Sequence, residues 1–200
     1  MQFRISHQRA LAAGIASLVL AAFALTAFAQ APTAAPKAKR EPDVPYVPTT
    51  EQAVEAMLKL AEVKSTDVVY DLGCGDGRIV IAAAKLYGAH GVGIDINPVR
   101  IAEARENAKK AGVENLVRFE ENDLFQATIA PATVVTLFLL NSVNLQLRPK
   151  LLNDLQPGTR VVSNTFSMGD WNPEKTVDLD TDETFLSKTL HLWRIPAKQR

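Results

Sequence analysis

Three glycines at alternate positions follow an apolar run in Val69-Tyr70-Asp71-Leu72-Gly73-Cys74-Gly75-Asp76-Gly77-Arg78. Glycine permits positive φ and lets the backbone approach a ligand closely. A helix starting behind such a loop offers unpaired N–H groups. A dinucleotide site wants G-x-G-x-x-G. Here Gly73 and Gly75 fit, but Arg78 stands at the third position, and the actual spacing is G-x-G-x-G. The acid before the loop matters most. Asp71 repels a pyrophosphate and is suited to a ligand carrying an ammonium group. Its bland alternative is a loop-capping role in an ordinary strand-to-helix turn.

Two further acids extend the pattern. Gly91-Val92-Gly93-Ile94-Asp95-Ile96-Asn97-Pro98 places Asp95 at the end of the next strand, some two dozen residues after Asp71. An acid there accepts ribose hydroxyls, as in dinucleotide folds. Taken alone, Asp95 also reads as a helix cap. Glu120-Glu121-Asn122-Asp123-Leu124-Phe125 puts Asp123 after the third strand, placed to accept from an adenine amine, with Ile96 and Leu124 on the two ring faces. Adenine, ribose and an ammonium without pyrophosphate describe S-adenosylmethionine. Cys74 reads as a small residue tolerated in the loop, not a nucleophile.

These three elements together resemble the class I methyltransferase family. The resemblance spans residues 46–172. Pro45-Tyr46-Val47-Pro48-Thr49-Thr50 and Thr136-Leu137-Phe138-Leu139-Leu140-Asn141-Ser142-Val143-Asn144 resemble a small single-domain subgroup. Its mitochondrial members are protein-lysine methyltransferases acting on the adenine nucleotide translocase and on the c-ring protein of ATP synthase. The resemblance implies S-adenosylmethionine as cofactor. It also implies that Tyr46 and Thr49 fold near the methionine moiety, with Gly73, Cys74, Gly75, Gly77 and Asp95 among the binding residues. The Asn/Asp-Pro-Pro-aromatic tetrapeptide of amino-DNA and amide methyltransferases is absent, and Asn141-Ser142-Val143-Asn144 stands in its place.

Methyl transfer from a sulfonium needs alignment and exclusion of water more than a dedicated base. A lysine acceptor must arrive neutral, and desolvation lowers its pKa. Asn141, after the fourth strand, and Asn144 one turn on are candidates to hold such an amine. Asp170 follows the fifth strand and is a third catalytic candidate, with Trp171 as a wall. The acceptor itself, a protein lysine or a small molecule, is not specified. No metal-ligand cluster is evident. The rival readings are a non-catalytic adenosine-binding or interaction domain and, less favoured by the glycine spacing, a nicotinamide-dependent oxidoreductase.

The elements that must position these residues alternate. A first helix runs from Thr50, its cap, to about Val63. Strands are expected at 67–70, 91–96, 116–120, 133–140 and 160–166, and helices at 78–86, 98–111 and 145–155. Segments 175–179 and 188–195 read as a closing antiparallel pair. Alternation of this kind predicts an α/β Rossmann-like fold: a mostly parallel, doubly wound sheet with a C-terminal antiparallel strand pair. Its ligands bind at the carboxyl ends of the strands.

At 200 residues there is room for one domain and a short extra segment. Formal net charge is zero, so no basic excess suggests nucleic acid. One cysteine rules out an intramolecular disulfide framework. Arg4 and Arg9 precede an apolar run over 11–28, and Ala27-Phe28-Ala29 is a small-x-small site. That layout predicts a signal peptide over 1–29, cleaved after Ala29, and a periplasmic protein. The rival is an uncleaved membrane anchor formed by 11–28. No cysteine at the site supports lipidation, and no paired arginines suggest the twin-arginine route. Residues 30–45 read as a Pro/Ala-rich linker, and 46–196 as the methyltransferase domain.

Overall fold

A computed structural model describes residues 41–179 and 189–197. The expected signal peptide and most of the expected linker lie outside the described residues. The elements run α1 (Glu51–Leu60), β1 (Val68–Leu72), α2 (Arg78–Tyr87), β2 (His90–Asp95), α3 (Pro98–Ala111), β3 (Val117–Glu121), β4 (Val134–Leu137), α4 (Asn141–Asp154), β5 (Arg160–Asn164), β6 (Lys175–Asp178) and β7 (Thr189–Arg194).

Seven strands form one sheet in the order β3-β2-β1-β4-β5-β7-β6. β1 to β5 are parallel, and β7 runs antiparallel between β5 and β6. The chain moves outward from β1 to β3, then returns to place β4 on the other side of β1. This reversal opens a crevice above the carboxyl ends of β1 and β4.

Alternation along each strand divides the core. Val69, Val134 and Val162 face α1, α2 and α3, where Met57, Leu58, Val80, Ala83, Ile101 and Ala104 pack. Tyr70, Leu72, Val135, Leu137 and Val161 face the other side, covered by Val143, Leu147 and Leu151 of α4 and by Ile129 and Trp193. Helix ends follow local chemistry. Thr50 caps α1, its hydroxyl accepting from Ala53 N at 3.2 Å. Asn97 caps α3 ahead of Pro98, and Gly112 in the left-handed region ends it.

Helix α4 begins earlier than its expected start near Leu145. Buried Val143, Leu147 and Leu151 recur every four residues, so the apolar stripe requires the helix to start before Val143. Strand β4 is correspondingly short, because residues 138–140 leave the sheet. Asn141 is therefore the first residue of α4. Strand β5 ends at Asn164. There Phe166 N donates to Asn164 O at 2.8 Å, and Thr165 takes φ +66°. That i→i+2 turn is strained for a β-branched residue.

Candidate active site

The glycine loop between β1 and α2 is tied to β2. Gly73 N and Cys74 N both donate to Ile94 O, at 2.8 and 3.0 Å. Above it lies a cavity of about 450 Å³. Its floor is Asp71, Gly73, Cys74 and Gly75; its sides are Asp95, Asn97 and Arg100 on one flank, Asp76, Arg78 and Ile79 on another, and Phe138 at the end of β4. Residues 42–49 run across it. A smaller cavity of about 40 Å³ adjoins it, lined by Ile96, Asn122, Asp123 and Leu124 and sharing Pro42, Asp43 and Asp95.

Asp95 is half-buried and held at both oxygens. Gly75 N donates to Oδ2 at 2.9 Å and Asn97 N to Oδ1 at 2.8 Å. A carboxylate oxygen has two acceptor sites, so each retains capacity for a hydroxyl. Asp71 is 3% exposed and accepts from Thr136 Oγ1 at 2.8 Å. Burial pushes its pKa up to about 7, against the Thr136 bond and with Asp95 and Asp76 adding to the rise. A buried carboxylate in that condition favours a cation beside it.

Asp76 and Arg78 form a fork: Arg78 Nε and Nη2 reach the carboxylate at 2.9 and 2.6 Å. Burial opposes ionisation of Asp76, but Arg78 outweighs it and holds the pKa below its ordinary value. Arg78 Nη1 also donates to Thr49 O at 2.6 Å, pinning the overlying segment to the start of α2. Arg100 pairs with Glu103 at 2.6 Å and lies 4.6 Å over the Tyr46 ring. Tyr46 in turn lies against Gly75, where any Cβ would collide with the ring.

Most of the residues expected at the cofactor gather here. Tyr46, Thr49, Asp71, Gly73, Cys74, Gly75 and Asp95 line the larger cavity, and Ile96, Asp123 and Leu124 the smaller. The Asp123 carboxylate also accepts from Phe125 N at 2.9 Å. Gly77 lies behind the loop with φ +79°, where a Cβ would come within 2.6 Å of Phe119. Its glycine serves packing beneath the loop. Cys74 is buried, and burial drives its thiol far from ionisation, with Asp71 and Asp95 adding to the effect.

The three residues expected at the acceptor sit apart from the cavity lining. Asn141 Oδ1 accepts from Ser167 N at 2.8 Å. Asn144 is fully buried; its amide donates to Ser163 Oγ at 3.2 Å, Phe166 O at 3.2 Å and Ser167 O at 3.3 Å. Asp170 projects into solvent and pairs with Arg148, which also donates to Met168 O at 2.9 Å. All three brace the segment after β5. Arg100 and Phe138 had no signal in the sequence, because one reads as a solvated helix residue and the other as the end of a buried strand.

Four carboxylates, Asp43, Asp71, Asp76 and Asp95, line one cavity, and Asp71 is buried with no cation paired to it among the described residues. They fit the sulfonium and ammonium of S-adenosylmethionine. They do not fit a pyrophosphate. Fold and site define a class I, S-adenosylmethionine-dependent methyltransferase. Residues 71–175 match the ANTKMT methyltransferase domain model, and the chain belongs to that family. A protein-lysine N-methyltransferase of Saccharolobus islandicus is 46% identical over 77% of this chain and 95% of its own length. An adenine nucleotide translocase lysine N-methyltransferase of Mus musculus is 36% identical over 71% of this chain, which spans only 62% of that relative. A crystal structure described as an RNA methyltransferase from Salinibacter ruber, bound to S-adenosyl-L-homocysteine, superposes with a TM-score of 0.72. It is 55% identical and covers 77% of this chain and 97% of its own.

Proposed function

We propose that this enzyme methylates the ε-amine of protein lysines. The observation that carries the reading is the wall at which the cofactor cavity ends, Phe138, with Phe166 stacked against it at 6.0 Å. An apolar aromatic wall accommodates the aliphatic stem of lysine and strips water from its amine. Desolvation lowers the amine pKa toward the neutral, nucleophilic form. The names of the Saccharolobus and mouse relatives support a lysine acceptor. An RNA acceptor is the rival, from the Salinibacter relative. Zero net charge weighs against it. The two arginines at the cavity are also already paired, with Asp76 and Glu103.

When bound, S-adenosylmethionine supplies a methyl already activated by its sulfonium. The chain's residues hold and orient. Asp95 takes the ribose hydroxyls, Asp71 the ammonium, and the Gly73–Gly75 backbone the methionine moiety. Ile96 and Leu124 flank the adenine, with Asp123 at its amine. Tyr46 and Thr49 close the cavity from above. Asn141, Asn144 and Asp170 act on the acceptor side through the segment they brace.

The test is transfer of labelled methyl from S-adenosylmethionine to an envelope protein extract, followed by acid hydrolysis. Recovery of label in methyl-lysines is expected. Label released by ribonuclease, or no transfer by a folded protein that binds S-adenosylhomocysteine, would overturn the reading.

We further propose that the domain, residues 46–196, is exported behind a signal peptide over 1–29 and a linker over 30–45. N-terminal sequencing of the mature protein should begin at Gln30. A full-length chain fractionating with membranes would establish an anchor at 11–28 instead.

A further inference from the structure

Resting on the lysine reading, we infer that Phe138 and Phe166 form the acceptor subsite. Their ring faces hold the alkylammonium as it gains its methyl groups. Position comes first. In the proposed cofactor pose, Asp95 takes the ribose, Asp71 takes the ammonium, and Ile96 and Leu124 flank the adenine. Of the larger cavity's lining residues without a role toward the cofactor, Phe138, at the end of β4, is the one aromatic ring. Phe166 stacks beside that ring at a 29° interplanar angle, and both rings are half-buried.

The second observation is how much structure is devoted to placing Phe166. Thr165 is driven to φ +66° at the carboxyl end of β5. Non-glycine residues in that region gather at sites where the strain is used. Thr165 N donates to Thr189 O at 2.7 Å, locking the turn to β7. Asn144 grips Phe166 O and Ser167 O from below, and Asn141 accepts from Ser167 N. The Asn144 Oδ1 is buried without a partner among the described residues. That burden is tolerated while the amide keeps its grip on the turn.

The chemistry suits ring faces. The neutral amine forms a new N–C bond as the S–C bond breaks, and the bonding pair stays on sulfur. Positive charge thus passes from sulfur to nitrogen. An aromatic face stabilises charge arriving there without accepting a proton. Between rounds the ammonium loses a proton to water. Each methylated product is again a cation that the rings retain, so lysine is carried through successive methylations.

The experiment uses the full chain saturated with S-adenosylhomocysteine. Two probes are titrated by saturation-transfer NMR: Nα-acetyl-trimethyl-lysine methylamide and its neutral isostere with a tert-butyl group in place of trimethylammonium. The wild type should prefer the cationic probe by about fivefold. Phe138→Leu and Phe166→Leu keep apolar volume and lose the ring face. Each should bring the preference to about unity while S-adenosylhomocysteine affinity and the melting temperature stay unchanged. The inference is overturned if the wild type shows no preference, if both variants retain it, or if Phe138→Leu also loses the cofactor product. Failure of the lysine reading is separate: it shows as absence of methyl-lysine in the labelled extract.

Discussion

Asp67 stands just before β1 and Asp71 lies within it, and both are buried. Their surroundings are opposite. Asp67, at the amino end of the sheet, accepts from Thr133 Oγ1 at 2.7 Å, Lys64 N at 2.8 Å and Arg160 Nη2 at 2.5 Å. Burial works against its ionisation, but those bonds win and its pKa falls. At Asp71 burial wins, because Thr136 opposes it while Asp95 and Asp76 add negative charge nearby. One end of the sheet is electrostatically satisfied, and the other is left wanting a cation. The site is therefore maintained at the expense of local stability.

The sharpest way to break the contrast is at the satisfied end. Asp67→Ala leaves the half-buried Arg160 without its carboxylate, held only by the Ala61 and Glu62 carbonyls. Loss of about 3 kcal/mol is expected, measured by urea unfolding, with cofactor-product affinity retained in the protein that stays folded. Asp95→Ala should do the reverse. Two hydrogen bonds to a charged acceptor disappear, and S-adenosylhomocysteine binding should weaken by about 100-fold or more by calorimetry.

Asp71→Asn tests the unsatisfied end directly. The folded-state pKa of Asp71 lies above its unfolded value of 3.8 and reaches about 7. The folded state therefore holds the proton more tightly. Stability linked to this group is present below about pH 4 and is lost as pH rises through about 7. Asn should remove that decline, raising ligand-free stability at pH 8 by at most about 4 kcal/mol and leaving pH 4 unaffected. It should also weaken cofactor binding by about tenfold and flatten its pH dependence. In the wild type a bound ammonium favours the carboxylate, so affinity should tighten between pH 5 and 7. An Asn variant that keeps the slope would assign it to another group. The smallest effect is expected for Asp170→Ala, because the side chain is solvent-exposed. Unfolding midpoint and cofactor affinity should stay as in the wild type.

Much of the cofactor half was legible because its signals are local. Alternating glycines, acids at strand ends and the Asn97-Pro98 helix start each act within a few residues. The acceptor half was less legible. Asn141, Asn144 and Asp170 were identified as polar residues near strand ends, but their partners lie some twenty residues away along the chain. Whether such an amide faces a cavity or a loop carbonyl depends on helix start and rotation, and the start of α4 was masked by the apolar run through Leu140. The Arg160–Asp67 pair joins residues 93 positions apart, so no local pattern announces it.

By itself the sequence determined the order of strands and helices, the glycine loop and the acids flanking it, since backbone conformation and apolar periodicity are short-range properties. Only the tertiary structure decided which carboxylate is neutralised and which is stranded. It also decided that Phe138 and Phe166 meet, and that Tyr46 closes on Gly75 under Arg100. Burial and charge pairing are properties of three-dimensional neighbourhoods, and sheet order brings distant segments into them.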